Sequence, residues 1–348
     1  MKDLKYLSAY TIPLMAVIAL SLKGYFSYLT LVYAFGIIPV LELLLPLDGS
    51  NLSEEERDSK SENPFFDWML FINIPLVFSL LIYTLIDVST HTYATYELIG
   101  LAFSTGIVLG SNGINVAHEL GHRKDRFSQL AAKFLLMPSL YMHFFIEHNF
   151  GHHLHAATAE DPATARYNQN VYSFWFTSVS RQYISAWKIQ LDLLKRENRQ
   201  FVSAKNDMLW YLLFQAAYLF VIYWFFGVSG LIFSVAVAVI GFLLLETINY
   251  IEHYGLRRNK LSSGRYERVK EIHSWNSNHI IGRVVLYELT RHSDHHYKAS
   301  KKYQLLDYHN TSPQMPYGYP TSMVISLIPP LWFKIMNKRI PREMKEAF

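Results

Sequence analysis

The sequence contains no cysteine among its 348 residues. This absence excludes disulfide bonds, thiolate metal sites and cysteine-held iron–sulfur clusters within the chain. If the protein carries out redox chemistry, its electrons must therefore come from a separate protein.

Charged residues are also scarce. They make up 17% of the chain, against about 25% in average soluble domains, whereas hydrophobic residues make up 51%. The formal net charge of +4 is small, and no basic block with interleaved aromatic residues occurs, which argues against nucleic acid as a partner. The composition is that of an integral membrane protein, surrounded by lipid, with a sizeable polar portion attached.

Long apolar runs predict where the chain crosses the membrane. A transmembrane helix needs about 20 apolar residues, and several segments come close to that length. We expect an all-α, polytopic membrane protein with six transmembrane helices, at about residues 7–21, 25–45, 68–86, 96–117, 208–226 and 229–250. The first run could be mistaken for a signal peptide, but a second apolar run follows almost at once, which favours a true span.

Two further stretches are not expected to cross the membrane. Residues 321–336 are apolar but contain Pro329-Pro330 and have lysines close by, which is typical of an interfacial segment. Residues 48–67 are rich in glutamate, and we expect them to form a solvated cytoplasmic loop.

The distribution of basic residues predicts the orientation. Six spans place both termini on one side, and of the 32 Lys and Arg residues only Lys23 falls on the other. Because basic residues are enriched on the inner side of membranes, we expect both termini to be cytoplasmic. Residues 118–207 and 251–348 then form two cytoplasmic segments.

Nine of the 15 histidines form four short clusters that follow two of the predicted spans. Spans four and six end on the same side, so all four clusters reach the cytoplasmic face. Spacings of three or four residues place histidines on one face of a helix, and imidazole binds first-row transition metals well. We interpret nine such rings as ligands of a multi-metal centre, with two irons. The histidines are His118, His122, His148, His152, His153, His253, His292, His295 and His296.

Polar residues accompany the clusters. Carboxylates often orient metal-bound histidines by accepting the second ring N–H. We favour this role over direct ligation for Glu119, Glu147, Glu252 and Asp294. Asn249 lies one turn before His253 and is a candidate to hold a metal-bound water. Glu246, one turn further back, has either a functional or a helix-packing role.

The other six histidines are expected to have packing or surface roles. They are His91, His143, His155, His273, His279 and His309. Of these, His273 and His279 flank a polar stretch that could line the floor of the site, and they are the best remaining candidates for a direct role.

The clusters resemble those of the membrane-bound alkane 1-monooxygenases, relatives of the membrane fatty-acid desaturases and hydroxylases. The similarity lies in the motifs His118-Glu-Leu-Gly-His122, Glu147-His148-Asn-Phe-Gly-His152-His153, Asn249-Tyr-Ile-Glu252-His253 and Arg291-His292-Ser-Asp294-His295-His296. The third of these motifs is more restricted in its distribution than the others, and it favours the alkane hydroxylase branch. Asp161-Pro-Ala-Thr164 and the stretch from His273 to His279 are also similar.

The resemblance implies a cytoplasmic helical cap that holds a non-heme di-iron centre with nine histidine ligands. It implies terminal hydroxylation of n-alkanes to 1-alkanols with O2, in the bacterial inner membrane. It also implies electrons from rubredoxin, supplied by rubredoxin reductase. Because the chain lacks cysteine, this rubredoxin must be a separate protein, and the apolar substrate would enter from the bilayer.

Related activities remain open from the residues alone. A fatty-acyl desaturase or hydroxylase, or an aryl-methyl monooxygenase, would use the same histidine motifs. A metal transporter is a weaker alternative, because transport sites usually lie near the bilayer midplane, whereas these histidines lie at or beyond the ends of spans.

Overall fold

The regular secondary structure of the protein is helical, as the sequence predicts. The computed structural model describes residues 2–345, and in that part of the chain β-structure is limited to three isolated bridges. The all-α fold class is therefore confirmed.

Five helical stretches are long and apolar enough to cross a membrane, counted over the described residues. We call them apolar helices one to five: Asp3–Leu22, Gly24–Leu44, Pro64–Thr90, Thr95–Gly121 and Asp207–His253. The remaining helices are Glu54–Glu62, Arg126–Leu136, Phe144–Glu147, His148–His152, His153–His155, Val171–Arg196, Glu271–His273, Ile280–Val285, His292–Tyr297, Tyr303–Leu305, Tyr319–Ser326, Pro329–Met336 and Arg342–Lys345.

Apolar helix five contains both of the last two predicted spans. Its 47 residues are interrupted at Gly227, where φ is 65° and ψ is −164°, a conformation that glycine adopts without steric cost. The Tyr218 hydroxyl lies 2.7 Å from the Ser234 hydroxyl, across this break. In a straight helix these residues would be about 24 Å apart. The two halves therefore fold back on each other as a hairpin.

The acidic segment that we expected to be a loop contains a helix instead. In Glu54–Glu62 the Ser53 hydroxyl accepts from the Glu56 backbone N–H, and the Glu56 carboxylate accepts from the Ser53 N–H. Three glutamates in the first turn and Lys60 in the last also suit the helix dipole. Arg57 binds Asp307 at 2.7 Å, so the helix is tied to the carboxyl-terminal part of the protein.

A buried ionic network supports the last histidine cluster. Glu288 binds Arg283 at 2.7 Å and accepts a hydrogen bond of 2.7 Å from the Tyr6 hydroxyl. Arg291 lies 3.7 Å from Glu288 and donates to the backbone oxygens of Leu306 and Ser50. His292 follows Arg291 directly, so this network fixes where the cluster begins.

We predict that Glu288→Gln lowers the free energy of unfolding by about 3–5 kcal/mol, because it removes the buried anion that lies between two buried arginines and leaves Arg283 with the partly exposed Asp48 as its acidic partner. Burial alone would raise the pKa of Glu288, but Arg283 and Arg291 hold that pKa below its ordinary value of 4.5. The stabilisation should thus be present above about pH 4.5 and be lost as the pH falls through the lowered pKa. Unfolding in detergent at pH 7 and pH 4 measures both effects.

The exposed Glu62 provides a matched control. Glu62→Gln should change stability by less than about 0.5 kcal/mol. Equal stabilities for Glu288→Gln and Glu62→Gln at pH 7 would contradict the structural importance of the network.

Candidate metal centre

The structure brings all nine clustered histidines together in two adjacent groups. Within each group the ligand nitrogens lie within 4.8 Å of one another. We call them group one, which is His118, His122, His148, His153 and His295, and group two, which is His152, His253, His292 and His296. The sequence predicted that the four clusters converge, but not how they divide.

The nitrogen–nitrogen distances in group one indicate that a cation belongs between the rings. The Nε2 atom of His153 lies 3.0 Å from that of His148 and 3.2 Å from that of His295. His118 and His295 approach to 3.0 Å, and His122 and His148 to 3.1 Å. A neutral imidazole carries one N–H, so these five linked atoms cannot all be joined by hydrogen bonds. Two nitrogens bound to one metal at about 2.1 Å, with bonds at about 90°, lie about 3.0 Å apart.

Group two has the same spacing. The Nε2 atom of His296 lies 3.1 Å from that of His152 and 2.9 Å from that of His292, and His253 lies 3.1 Å from His292. The donor set fits a second first-row transition metal. Glu252 adds an oxygen here, since its Oε2 atom lies 3.2 Å from His292 Nε2.

A π-helical turn explains how one cluster supplies both groups. The chain from His148 to His152 forms this wider turn, in which residues five apart are brought onto one face. His148 and His153 therefore both point into group one, while His152 points into group two. A regular helix would have placed His148 and His152 together, as the sequence spacing suggested.

Burial keeps the ligand rings neutral. Burial and the neighbouring histidines lower the pKa well below 6.5 for His122, His148, His153, His292, His295 and His296. A neutral ring has a free lone pair for a metal. His122 and His153 are partly exposed, whereas the other seven histidines are buried.

The predicted carboxylates have different surroundings. Glu252 touches the centre, and its Oε1 accepts a 2.8 Å hydrogen bond from the Tyr319 hydroxyl. Glu119 accepts from Arg123 at 2.9 Å and from the Tyr303 backbone N–H at 3.3 Å, so it braces the segment beside group one.

Asp294 and Glu147 are the other two carboxylates that we predicted to orient metal-bound histidines. Asp294 binds Lys301 at 2.6 Å, the backbone N–H of Asp307 at 2.8 Å and His309 at 2.7 Å, which organises the loop after the last cluster. Glu147 lies beneath the π-helical turn, and burial together with nearby carboxylates raises its pKa well above the ordinary value.

Asp161 is a site residue that the sequence reasoning did not single out. Its Oδ2 atom accepts from His152 Nδ1 at 2.9 Å and from the Thr164 hydroxyl at 2.5 Å, and its Oδ1 accepts from the Ala163 N–H at 3.0 Å. Asp161 therefore fixes the ring of His152 with Nε2 directed at group two. The motif Asp161-Pro-Ala-Thr164 was noted as similar to the family, but spacing alone gave it no role.

Asn249 lies beside the centre, at the end of an internal cavity that it lines together with Glu252. Glu246, one turn away, accepts hydrogen bonds from the Tyr141 hydroxyl at 2.9 Å, Ser178 at 2.6 Å and Gln182 at 2.9 Å. These contacts give Glu246 a helix-packing role.

The remaining buried histidines lie outside the two groups. His143 packs between the rings of Tyr141 and Tyr183. His273 accepts from the Lys270 backbone N–H, and His279 contacts the Ser277 hydroxyl.

The internal cavity, which we call the reaction cavity, is narrow and has a volume of ≈ 70 Å³. His118 and His148 of group one and His292 of group two lie at one end. The rest of its wall is mainly aliphatic and aromatic, with Ile107, Leu244, Leu245, Ile248, Val285 and Leu286. An elongated apolar molecule can therefore reach both groups without meeting a charged side chain until it arrives there.

Sequence comparison relates the chain to known monooxygenases and desaturases. Residues 94–324 match the model of the fatty acid desaturase family. The chain is 34% identical to alkane 1-monooxygenase 2 of Pseudomonas aeruginosa, over 95% of this chain and 91% of that protein. It is 38% identical to alkane 1-monooxygenase of Acinetobacter baylyi, over 89% and 76% of the two chains. It is 26% identical to the xylene/toluene monooxygenase hydroxylase component of Pseudomonas putida, over 100% and 91%. The chain therefore belongs to the fatty acid desaturase family, in the branch that contains the alkane 1-monooxygenases.

Proposed function

We propose that the protein is an alkane 1-monooxygenase that converts n-alkanes and O2 to 1-alkanols and water. One observation carries the proposal: an apolar cavity ends at two groups of histidine nitrogens that are spaced to hold two metal ions. The reaction consumes the alkane, O2, two electrons and two protons. Identities of 34% and 38% to alkane 1-monooxygenases support this substrate class.

The proposed topology has six crossings, with both halves of apolar helix five counted separately. Lys23 binds Asp87 at 3.1 Å, and Tyr25 stacks on Tyr96 at 5.4 Å, which supports a common outer face for these turns. The termini, the segments 118–207 and 251–348, and the centre then lie on the cytoplasmic side of the bacterial inner membrane. The expected span limits 7–21, 25–45, 68–86, 96–117, 208–226 and 229–250 form part of this proposal.

The proposed cofactor is a pair of non-heme iron ions, held by the five histidines of group one and the four of group two. When bound, the irons would supply the redox chemistry that activates O2, with electrons from the donor, and oxidises a terminal C–H bond. The protein's own contribution is alignment and the exclusion of water. The reaction cavity directs a chain end toward His118, His148 and His292, and Tyr319 holds Glu252 against His292.

A separate rubredoxin, kept reduced by rubredoxin reductase, is the proposed electron donor. The chain has no cysteine of its own with which to hold an iron–sulfur centre. His122 of group one borders an open cleft whose wall includes Arg123, Lys124 and Lys302 together with Asp67 and Asp125. The small excess of basic groups would favour the approach of an acidic carrier protein.

Hydroxylation of an aryl methyl group is the second candidate, supported by similarity to the xylene/toluene monooxygenase component over the whole chain. The lower identity of 26% places it behind alkane hydroxylation.

The product assay that separates these candidates uses 18O2. Membranes containing the protein receive NADH, rubredoxin, its reductase, and a mixture of alkanes and methylarenes, and the products are identified by mass spectrometry. We expect 18O-labelled 1-alkanols. Labelled benzylic alcohols without 1-alkanols would move the function to the second candidate.

We predict that His292→Ala loses iron, because it removes the ring that contacts both His253 and His296. Iron per chain should fall from two toward one or fewer, measured by elemental analysis of the purified protein. His143→Ala is the matched control, since His143 is a buried histidine outside both groups. Equal iron contents in the two variants would refute the proposed role of His292.

Asp161→Asn should weaken binding of the iron in group two by about 10–100-fold. Both carboxylate oxygens accept hydrogen bonds from donors. The Asn side chain would replace one of these oxygens by an NH2 group, which cannot accept, so in either orientation of the amide at least one of these hydrogen bonds is lost. Iron retained during titration with a chelator gives the affinity without an activity assay. Glu160→Gln, at an exposed neighbouring acid, should bind iron as the wild type does; the same retention in Asp161→Asn would argue against its orienting role.

A further inference from the structure

A second apolar cavity lies next to the reaction cavity and shares part of its wall. We call it the side groove, and the shared residues the neck: Phe35, Ile107, Leu244 and Met323 line both spaces. The neck brings together apolar helices two, four and five and the short helix Tyr319–Ser326. These four side chains therefore form a common wall between the side groove and the reaction cavity.

The wall of the side groove suits an apolar occupant. Among the described residues that line it, the polar side chains are Trp175 and Thr247. The Trp175 indole N–H donates to the Thr247 hydroxyl at 3.0 Å, and that hydroxyl donates to the Leu243 backbone oxygen at 2.7 Å. Both are thus satisfied within the protein, and a polar molecule would lose its hydrogen bonds to water on entering.

The outer end of the side groove lies where a membrane surface is expected. Val324 and Leu327 line this end and are 37% and 39% exposed. Tyr172 packs edge-on against Trp175 at 5.4 Å, and its hydroxyl donates to the Leu327 backbone oxygen. Tyr and Trp are enriched at membrane–water interfaces, and in the proposed topology this interface is the cytoplasmic one.

We propose that the side groove is the entrance through which the alkane passes from the cytoplasmic leaflet into the reaction cavity, and that the neck is its gate. This inference rests on the proposed function, because it assigns the route of that substrate. An alkane is already concentrated among lipid chains, so a lateral opening avoids transfer through water. Met323 is the movable element of the gate, because an unbranched thioether changes conformation at low cost.

The absence of cysteine allows the outer end to be plugged at one chosen position. Leu327→Cys is labelled with dodecyl methanethiosulfonate or with the small methyl reagent, each of which forms a mixed disulfide. We expect the dodecyl label to lower the rate of dodecane hydroxylation by about tenfold or more relative to the methyl label. Reduction of the disulfide and removal of the reductant should restore the rate, which excludes damage to the fold.

Ile328→Cys is the matched control, because Ile328 is 52% exposed and adjacent in sequence but lies outside the wall of the groove. Its dodecylated form should hydroxylate dodecane as fast as its methylated form. Complete dodecylation of Leu327→Cys, verified by mass spectrometry, with no difference between the two labels would overturn the proposal.

The gating role of the neck is tested separately, by changing the size of the side chain at position 323. Met323→Trp should lower kcat/KM for dodecane by about tenfold, and Met323→Ala should not, with iron content unchanged in both. Equal kcat/KM values for the two variants would overturn the assignment of the gate. If the product assay yields benzylic alcohols instead of 1-alkanols, the proposed function fails. The rates of the dodecylated and methylated Leu327→Cys protein are then compared with a methylarene as the substrate.

Discussion

The convergence of nine imidazole nitrogens is the constraint on which the rest of the structure depends. Lone pairs that meet at 2.9–3.2 Å in a buried space repel one another unless a cation lies between them. Four stretches of chain, far apart in sequence, must supply these rings with the correct orientation. Asp161 fixes the ring of His152, the Arg283–Glu288–Arg291 network fixes the start of the last cluster, and the Tyr319–Glu252 contact closes the site from the carboxyl-terminal side.

Departures from regular helix geometry occur where the chain meets the reaction cavity. Among residues 2–345, π-helical turns occur at Tyr33–Ile37, Leu109–Ile114 and His148–His152. Each contributes to the cavity wall, through Phe35, Gly110 and His148 in turn. A π turn widens a helix and shifts the direction of every side chain after it. The same irregularity thus makes room for the substrate and, at His148–His152, distributes histidines between the two groups.

Much of this arrangement follows from the sequence. Apolar length predicted the membrane helices, and the parity of the spans placed all four histidine clusters on one side, where the structure brings them together. The division into five and four ligands could not be predicted, because it depends on a π turn that has no distinct residue pattern. The role of Asp161 was missed because its contact with His152 depends on the tight turn through Thr164, not on a regular spacing. The prediction of a loop at Glu54–Glu62 was wrong because it rested on the high charge of the segment. The capping residues Ser53 and Glu56, which stabilise the start of a helix, were not taken into account.

The two sides of the centre differ in a way that suits a reaction with two kinds of reactant. Toward the membrane helices, the groups face an apolar cavity, and Tyr319 positions the carboxylate of Glu252 beside His292. On another side, His122 of group one borders an open cleft lined by charged residues of both signs. A hydrocarbon gains no free energy in the polar cleft, and a charged carrier protein cannot enter the apolar cavity. The separation of these surfaces would keep the proposed electron route and the proposed substrate route apart, so that neither reactant has to leave before the other can approach.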